Sequence, residues 1–166
     1  MAPNVEIERK FLVRETGFLT GLTGKSIRQG YIARAGTTLV RVRQKGDAGF
    51  LTIKADKGGL ERHEFEYEIP AGDAAAMLKL LSLRPAIEKT RYEVEVDGLI
   101  WEVDVFEGAN TGLLIAEVEL DRPDQPFTRP DWAGPEVTGD PRFFNAYLSE
   151  KPFRQWGVDY KSLLKV

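Results

Sequence analysis

From Arg62 to Ile69 the chain alternates residue by residue. Arg62, Glu64, Glu66 and Glu68 fall on one face of an extended segment, and His63, Phe65, Tyr67 and Ile69 on the other, the period of a strand with unlike sides. The pattern recurs. Val5–Phe11 sets Glu6, Glu8 and Lys10 against Val5, Ile7 and Phe11. Ser26–Ala33 places Gln29 and Tyr31 on one face, and Thr37–Gln44 sets Leu39, Arg41 and Arg43 against Val40 and Val42. Phe50–Lys54 opposes Thr52 and Lys54 to Leu51 and Ile53. Ile87–Val96 gives Lys89, Arg91, Glu93 and Glu95 against Tyr92, Val94 and Val96. Leu99–Phe106 puts Glu102 and Asp104 opposite Trp101, Val103 and Val105, and Leu113–Leu120 puts Glu117 and Glu119 opposite Leu114, Ala116, Val118 and Leu120.

One stretch has helical spacing. Asp73–Leu83 places Asp73 near the N-cap, carries an apolar stripe of Met77, Leu78, Leu80 and Leu81, and is closed by Pro85. Glu15–Thr23 reads as a short helix or loop, Phe143–Leu148 as a short helix, and Val158–Val166 as a terminal helix or tail. The connections Lys45–Gly49 and Asp97-Gly98 are hairpin signals. Together these predict a mainly β (α+β) fold, an eight-stranded antiparallel closed barrel or tunnel with a few flanking helices. Closure removes exposed strand edges. No linker or repeat divides the chain, so residues 1–166 read as one domain.

Composition narrows the chemistry. With 42% hydrophobic and 30% charged residues the chain is globular rather than disordered. A net charge of −3 argues against a general nucleic-acid or membrane-surface binder, though it leaves room for a local basic cavity. There is no cysteine, which excludes disulfides, thiolate catalysis and iron–sulfur clusters, and His63 alone excludes a multi-histidine metal site. Any bound metal then takes oxygen ligands, which favours magnesium, manganese or calcium. No apolar signal region or membrane-length run is present, and the expected location is cytoplasmic.

The charged faces could simply be solvated. Their composition argues otherwise. They are almost purely Glu, Asp, Arg and Lys, segregated by strand: Arg41, Arg43 and Lys54 on the third and fourth strands, only acids on the seventh and eighth. Like charges two residues apart repel, so each set calls for a counter-charge. A metal ion beside the acids and a polyanion beside the bases would supply it. The opposite faces are too apolar to stay wet, and a helix, the terminal segments or a second subunit would cover them; a homodimer suits this wall. The expected barrel therefore has a charged, hydrated bore and an apolar outer wall.

The residues resemble a known family. Glu6-x-Glu8-x-Lys10 is similar to the ExExK signature of the CYTH superfamily, the triphosphate tunnel metalloenzymes. Gln29-Gly30-Tyr31, Arg41-Val42-Arg43, Thr52-Ile53-Lys54, Arg62-x-Glu64-x-Glu66, Lys89-x-Arg91, Asp104-Val105-Phe106 and Ala116-Glu117-Val118-Glu119 follow in the family's order. Glu136-Val137-Thr138 ahead of Phe143-Phe144-Asn145 resembles the short bacterial members.

The resemblance implies a tunnel that binds a triphosphate with Mg²⁺ or Mn²⁺. On that reading Lys10, Arg41, Arg43, Lys54, Arg62, Lys89 and Arg91 clamp the triphosphate, arginine being suited to it by its planar fork of donors. Glu6, Glu8, Glu64, Glu66, Asp104, Glu117 and Glu119 are the candidate metal ligands, and Lys10 with Tyr31 a candidate catalytic dyad. Glu102 reads as a rim residue, and His63, Trp101, Trp132 and Trp156 as structural. The expected activity is metal-dependent hydrolysis of tripolyphosphate, and of nucleoside triphosphates on the same clamp. The alternatives are a class IV adenylate cyclase making cyclic AMP from ATP, or a non-catalytic polyphosphate- or nucleotide-binding module. Only five residues precede Glu6, whereas class IV cyclases carry more, which favours the triphosphatase group.

Overall fold

The first strand, β1 (Val5–Val13), is where the sheet closes on itself in a computed structural model that describes residues 4–165. Its start pairs with β5 (Glu61–Ile69), Val5 opposite His63 and Ile7 opposite Glu61, and its middle pairs with β8 (Leu114–Glu119), Glu8 opposite Glu119 and Lys10 opposite Glu117. Between them lie β2 (Lys25–Ala35), β3 (Thr38–Lys45), β4 (Ala48–Gly58), β6 (Ile87–Val96) and β7 (Leu99–Phe106). The order is β5-β4-β3-β2-β6-β7-β8-β1, with the β5–β1 pairing joining the ends. All pairings are antiparallel. The eight expected strands are therefore present as a closed ring. A short ninth strand, β9 (Ala133–Glu136), adds to the end of β1, and the alternation pattern did not announce it.

The bore has two unlike halves. Past Lys10, Lys89, Asp104 and Glu117, the next positions of the same parity are Leu12, Ile87, Phe106 and Ile115. These pack with Phe143, Leu148 and Phe153 from the C-terminal segment. The charged interior therefore occupies one half, and an apolar plug fills the other. Phe143 and Phe153 sit in 3₁₀ turns on either side of a short helix, α2 (Asn145–Glu150), which brings Leu148; a second short helix, α3 (Tyr160–Leu163), is anchored where Tyr160 donates to the backbone O of Val13 or Leu114 and accepts from Val13 N. Val166, the end of the expected terminal segment, lies outside the described residues.

Outside the ring, the apolar wall is covered in two places. Phe11, Trp101, Val103, Ala116 and Val118 pack under Phe18, Phe127 and Trp132. The helix α1 (Ala71–Leu80) lies on β2, β3 and β4 through Ala74 and Leu78, which meet Val42. Gly49 permits that approach, since a Cβ there would sit 2.9 Å from the Ala74 methyl. The helix starts at Ala71 rather than Asp73, and only Leu78 of the expected stripe is buried; Leu80 and Leu81 are exposed. Glu15–Thr23 yields one short 3₁₀ turn, Gly17–Leu19. Phe65 and Tyr67 on β5 stay exposed.

Candidate active site

Strand order sorts the inward charges into two arcs. The neighbours β4, β3, β2 and β6 contribute Lys54, Arg41, Arg43, Arg34 and Arg91; the neighbours β7, β8 and β1 contribute Glu102, Glu117, Glu119, Glu6, Glu8 and Lys10. The mixed β5 supplies Arg62, Glu64 and Glu66 at the seam. They enclose a cavity of about 490 Å³. Tyr31, Phe50, Phe144 and Asn145 complete its wall.

Each arc is crowded by its own kind. Arg41 and Arg43 face the cavity two residues apart, and the Arg43 pKa is pulled down to about 10 by burial and then by Arg41 and Arg91. Arg43 Nε donates to Gln29 Oε1 at 2.9 Å, while the buried Nε of Arg41 meets no acceptor among the described residues. Across the bore, Glu8 lies opposite Glu119 and Glu102 opposite Glu117 in register, the like-charge pairing that destabilises a sheet. Burial, then Glu117, raises the Glu8 pKa, and burial and Glu64 raise that of Glu6 against the pull of Lys54. Glu119 is pushed up to about 7 by burial and by Glu6, Glu64, Glu102 and Glu8.

Lysines hold the acids apart. Lys54 Nζ sits 2.8 Å from Glu6 Oε2 and 2.9 Å from Glu64 Oε2. Lys10 Nζ lies 2.9 Å from Glu117 Oε1 and 3.7 Å from Glu8 Oε1. Burial works against its charge, but Glu117 and Glu8 outweigh it and keep Lys10 protonated. Glu117, in turn, is held well below the carboxylate range by Lys10, Arg91 and Lys89 despite burial.

Among the described residues, no three acidic or histidine side chains form a ready metal-ligand cluster; Glu6 and Glu64 are engaged by Lys54, and Glu117 and Glu8 by Lys10. The donor set nevertheless fits a hard divalent cation. It is all carboxylate, and burial together with neighbouring carboxylates raises the pKa of Glu6, Glu8 and Glu119, a crowding that a cation would relieve.

The structure places three of the sequence-based candidates apart from the rest of the set. Asp104 does not reach the cavity: it is fully buried, its Oδ1 accepts from Arg91 Nε and its Oδ2 from Arg91 Nη2, both at 2.7 Å, with Lys89 Nζ 2.5 Å away. Both of its oxygens are taken up by Arg91 and Lys89. Lys89 is likewise fully buried behind Arg91, with no cavity surface for a phosphate, and burial lowers its pKa to about 8 against the pull of Asp104. Tyr31 and Lys10 both line the cavity but from opposite sides of the ring, β2 and β1, and among the described residues no hydrogen bond joins them; Lys10 meets Glu117, Glu8 and the Phe143 carbonyl. Glu66 sits at the edge, accepting from Thr52 Oγ1 at 2.8 Å and reaching Arg41 at 3.5 Å. Arg62 stacks its guanidinium on Phe144, 4.8 Å from the ring centre.

The CYTH domain pattern matches residues 4–144. The chain belongs to the CYTH family. It is 46% identical over 151 residues to an inorganic triphosphatase of Acetivibrio thermocellus, covering 91% of this chain and 97% of that one. It is 40% identical over 149 residues to an inorganic triphosphatase of Nitrosomonas europaea, covering 87% and 96%. The crystal structure of the inorganic triphosphatase NE1496 superimposes with a TM-score of 0.63 at 36% identity, over 87% of this chain and 93% of that one. A Hippeastrum protein first assigned as an adenylyl cyclase and described as having a dominant triphosphatase activity shares the fold at TM-score 0.52 and 16% identity, over 72% of this chain and 81% of that one.

This CYTH chain places residues at its cavity that the alternation did not indicate. Arg34 is out of step with Tyr31 by simple parity. A bulge between Tyr31 and Ala33 shifts the register and turns Arg34 inward. Phe144 and Asn145 come from a segment with no strand pattern, and only three-dimensional packing brings them over the bore.

Proposed function

We propose that this CYTH protein hydrolyses a phosphoanhydride bond of inorganic tripolyphosphate held in the cavity, with Mg²⁺ or Mn²⁺ as cofactor. One observation carries the reading: basic side chains from one run of neighbouring strands and carboxylates from another line a single cavity. A polyanion with its cations satisfies both arcs at once. The names of the 46% and 40% identical relatives support the same substrate.

In this reading Arg41, Arg43 and Arg91 grip the phosphate oxygens, with Lys54 and Arg62 at the mouth. Glu6, Glu8, Glu117 and Glu119 would hold the cation. A divalent ion bound there neutralises phosphoryl charge and acidifies a water. Lys10, kept protonated by its carboxylates, donates a charged hydrogen bond to phosphate oxygen rather than acting as a base. Asp104 and Lys89 brace Arg91 from behind. The protein works as one domain in the cytoplasm, and exposed Phe65 and Tyr67 suit a second copy of the chain.

The test is product analysis with tripolyphosphate and, separately, ATP, each with Mg²⁺ or Mn²⁺, beside Glu8→Gln. Orthophosphate and pyrophosphate from tripolyphosphate, lost without metal and in the variant, are expected. Cyclic AMP with pyrophosphate from ATP would move the assignment to a cyclase, and no product from either substrate would leave a binding module.

A further inference from the structure

Asn145 opens α2 and lines the cavity. Its Oδ1 accepts from Lys89 Nζ at 3.3 Å. That contact settles which way the amide faces. An ammonium has three donors and no acceptor, so it meets the amide oxygen and not the nitrogen. The Nδ2 group then points away from Lys89 and, among the described residues, finds no protein acceptor. Lys89 cannot drift, because its ammonium is buried against Asp104. Asp104 also grips Arg91 through two nitrogens. Asn145–Lys89–Asp104–Arg91 thus joins two cavity-lining groups through two residues that have no cavity surface. The neighbouring chain is fixed as well: Lys10 Nζ donates to Phe143 O at 3.4 Å, and Phe144 lies under Arg62.

We propose that the Asn145 side-chain amide is a substrate-binding group: Nδ2 donates to a phosphate oxygen beside the apolar plug, and Lys89 and Asp104 are positioning residues that orient it together with Arg91. The inference rests on the triphosphate reading of this cavity. It adds a donor from outside the barrel strands, one that is neutral and therefore indifferent to the charge crowding around it.

Asn145→Asp tests it, because the carboxylate keeps an oxygen for Lys89 while turning an anionic oxygen toward the substrate. Asn145→Ala removes both contacts. Tripolyphosphate binding is measured by calorimetry in chelator, so that no metal enters the readout, and KM and kcat are measured with Mg²⁺. The expected loss of affinity is about three- to tenfold for Asn145→Ala, the worth of one hydrogen bond, and greater for Asn145→Asp, with the unfolding temperature of Asn145→Asp unchanged and the effect in KM more than in kcat. A purely structural Asn145 gives the reverse order, Ala worse than Asp in melting and in binding, and that result overturns the assignment. Should Asn145→Asp fail to fold, unchanged binding by Asn145→Ala overturns it alone. Wild-type protein that neither binds nor hydrolyses tripolyphosphate overturns the triphosphate reading itself, and this assignment with it.

Discussion

Two ion clusters inside the barrel are built from the same residue types in inverted proportion, one cation between two carboxylates and one carboxylate between two cations, and lie at different depths. Lys54 with Glu6 and Glu64 lines the cavity, its side chains 15–24% exposed. Lys89 and Arg91 with Asp104 sit deeper, at 0–5%. Both arise from the same alternation of inward charges, so strand parity sets the face and not the depth. The outer cluster can exchange its partners for a ligand because water and solutes reach it. The inner one cannot, since any oxygen it gave up would leave a buried cation alone. We read the first as ligand-binding and the second as scaffolding for Arg91.

Removing the centre of the inner cluster separates the two most sharply. Asp104→Asn leaves Lys89 and Arg91 buried without their shared carboxylate and lowers stability by about 3–5 kcal/mol, read from urea denaturation. A loss below ~1 kcal/mol would mean the cluster is wet. Lys54→Met in the outer cluster costs less, about 1–2 kcal/mol, because its carboxylate partners keep some access to water, yet it weakens tripolyphosphate binding by about tenfold, the Coulombic worth of one cation beside an anion. Equal effects of the two variants on stability would erase the distinction.

The smallest effect is one of pH. Glu119 takes up its proton at about 7 in the folded protein against an ordinary 4.5, and Glu6 and Glu8 shift the same way. Between those values the folded state binds more protons than the unfolded chain, so stability of the metal-free protein falls as pH rises from about 5 to 7. Thermal melts across that range should show the decline, and saturating Mg²⁺ should flatten it. A melting temperature that rises over the range would contradict the crowding of the acid arc.

The barrel was legible because each strand repeats one rule, charge inward and apolar outward, over enough residues to fix its register. Most of the cavity lining followed from that rule: Glu6, Glu8, Arg41, Arg43, Lys54, Arg91 and Glu117 all face the bore. What escaped it depended on breaks in the period or on depth. Arg34 needed the bulge after Tyr31. Asp104 and Lys89 have the right parity but lie next to the plug, where Phe106 and Ile87 mark the change from charged to apolar interior. Tyr31 and Lys10 share the cavity, and only the ring order shows that its width separates them. Asn145 belongs to a segment whose pattern is neither strand nor long helix.

The most direct measurement is calorimetric titration of tripolyphosphate into the wild-type protein and into Arg41→Ala. Arg41 is 5% exposed, faces the cavity, and its Nε meets no acceptor among the described residues. The account predicts that wild type binds and that Arg41→Ala binds at least about tenfold more weakly, as loss of a charge-assisted hydrogen bond requires. Equal affinity in the two proteins would contradict it, because the triphosphate would then be held somewhere other than against the arginine arc.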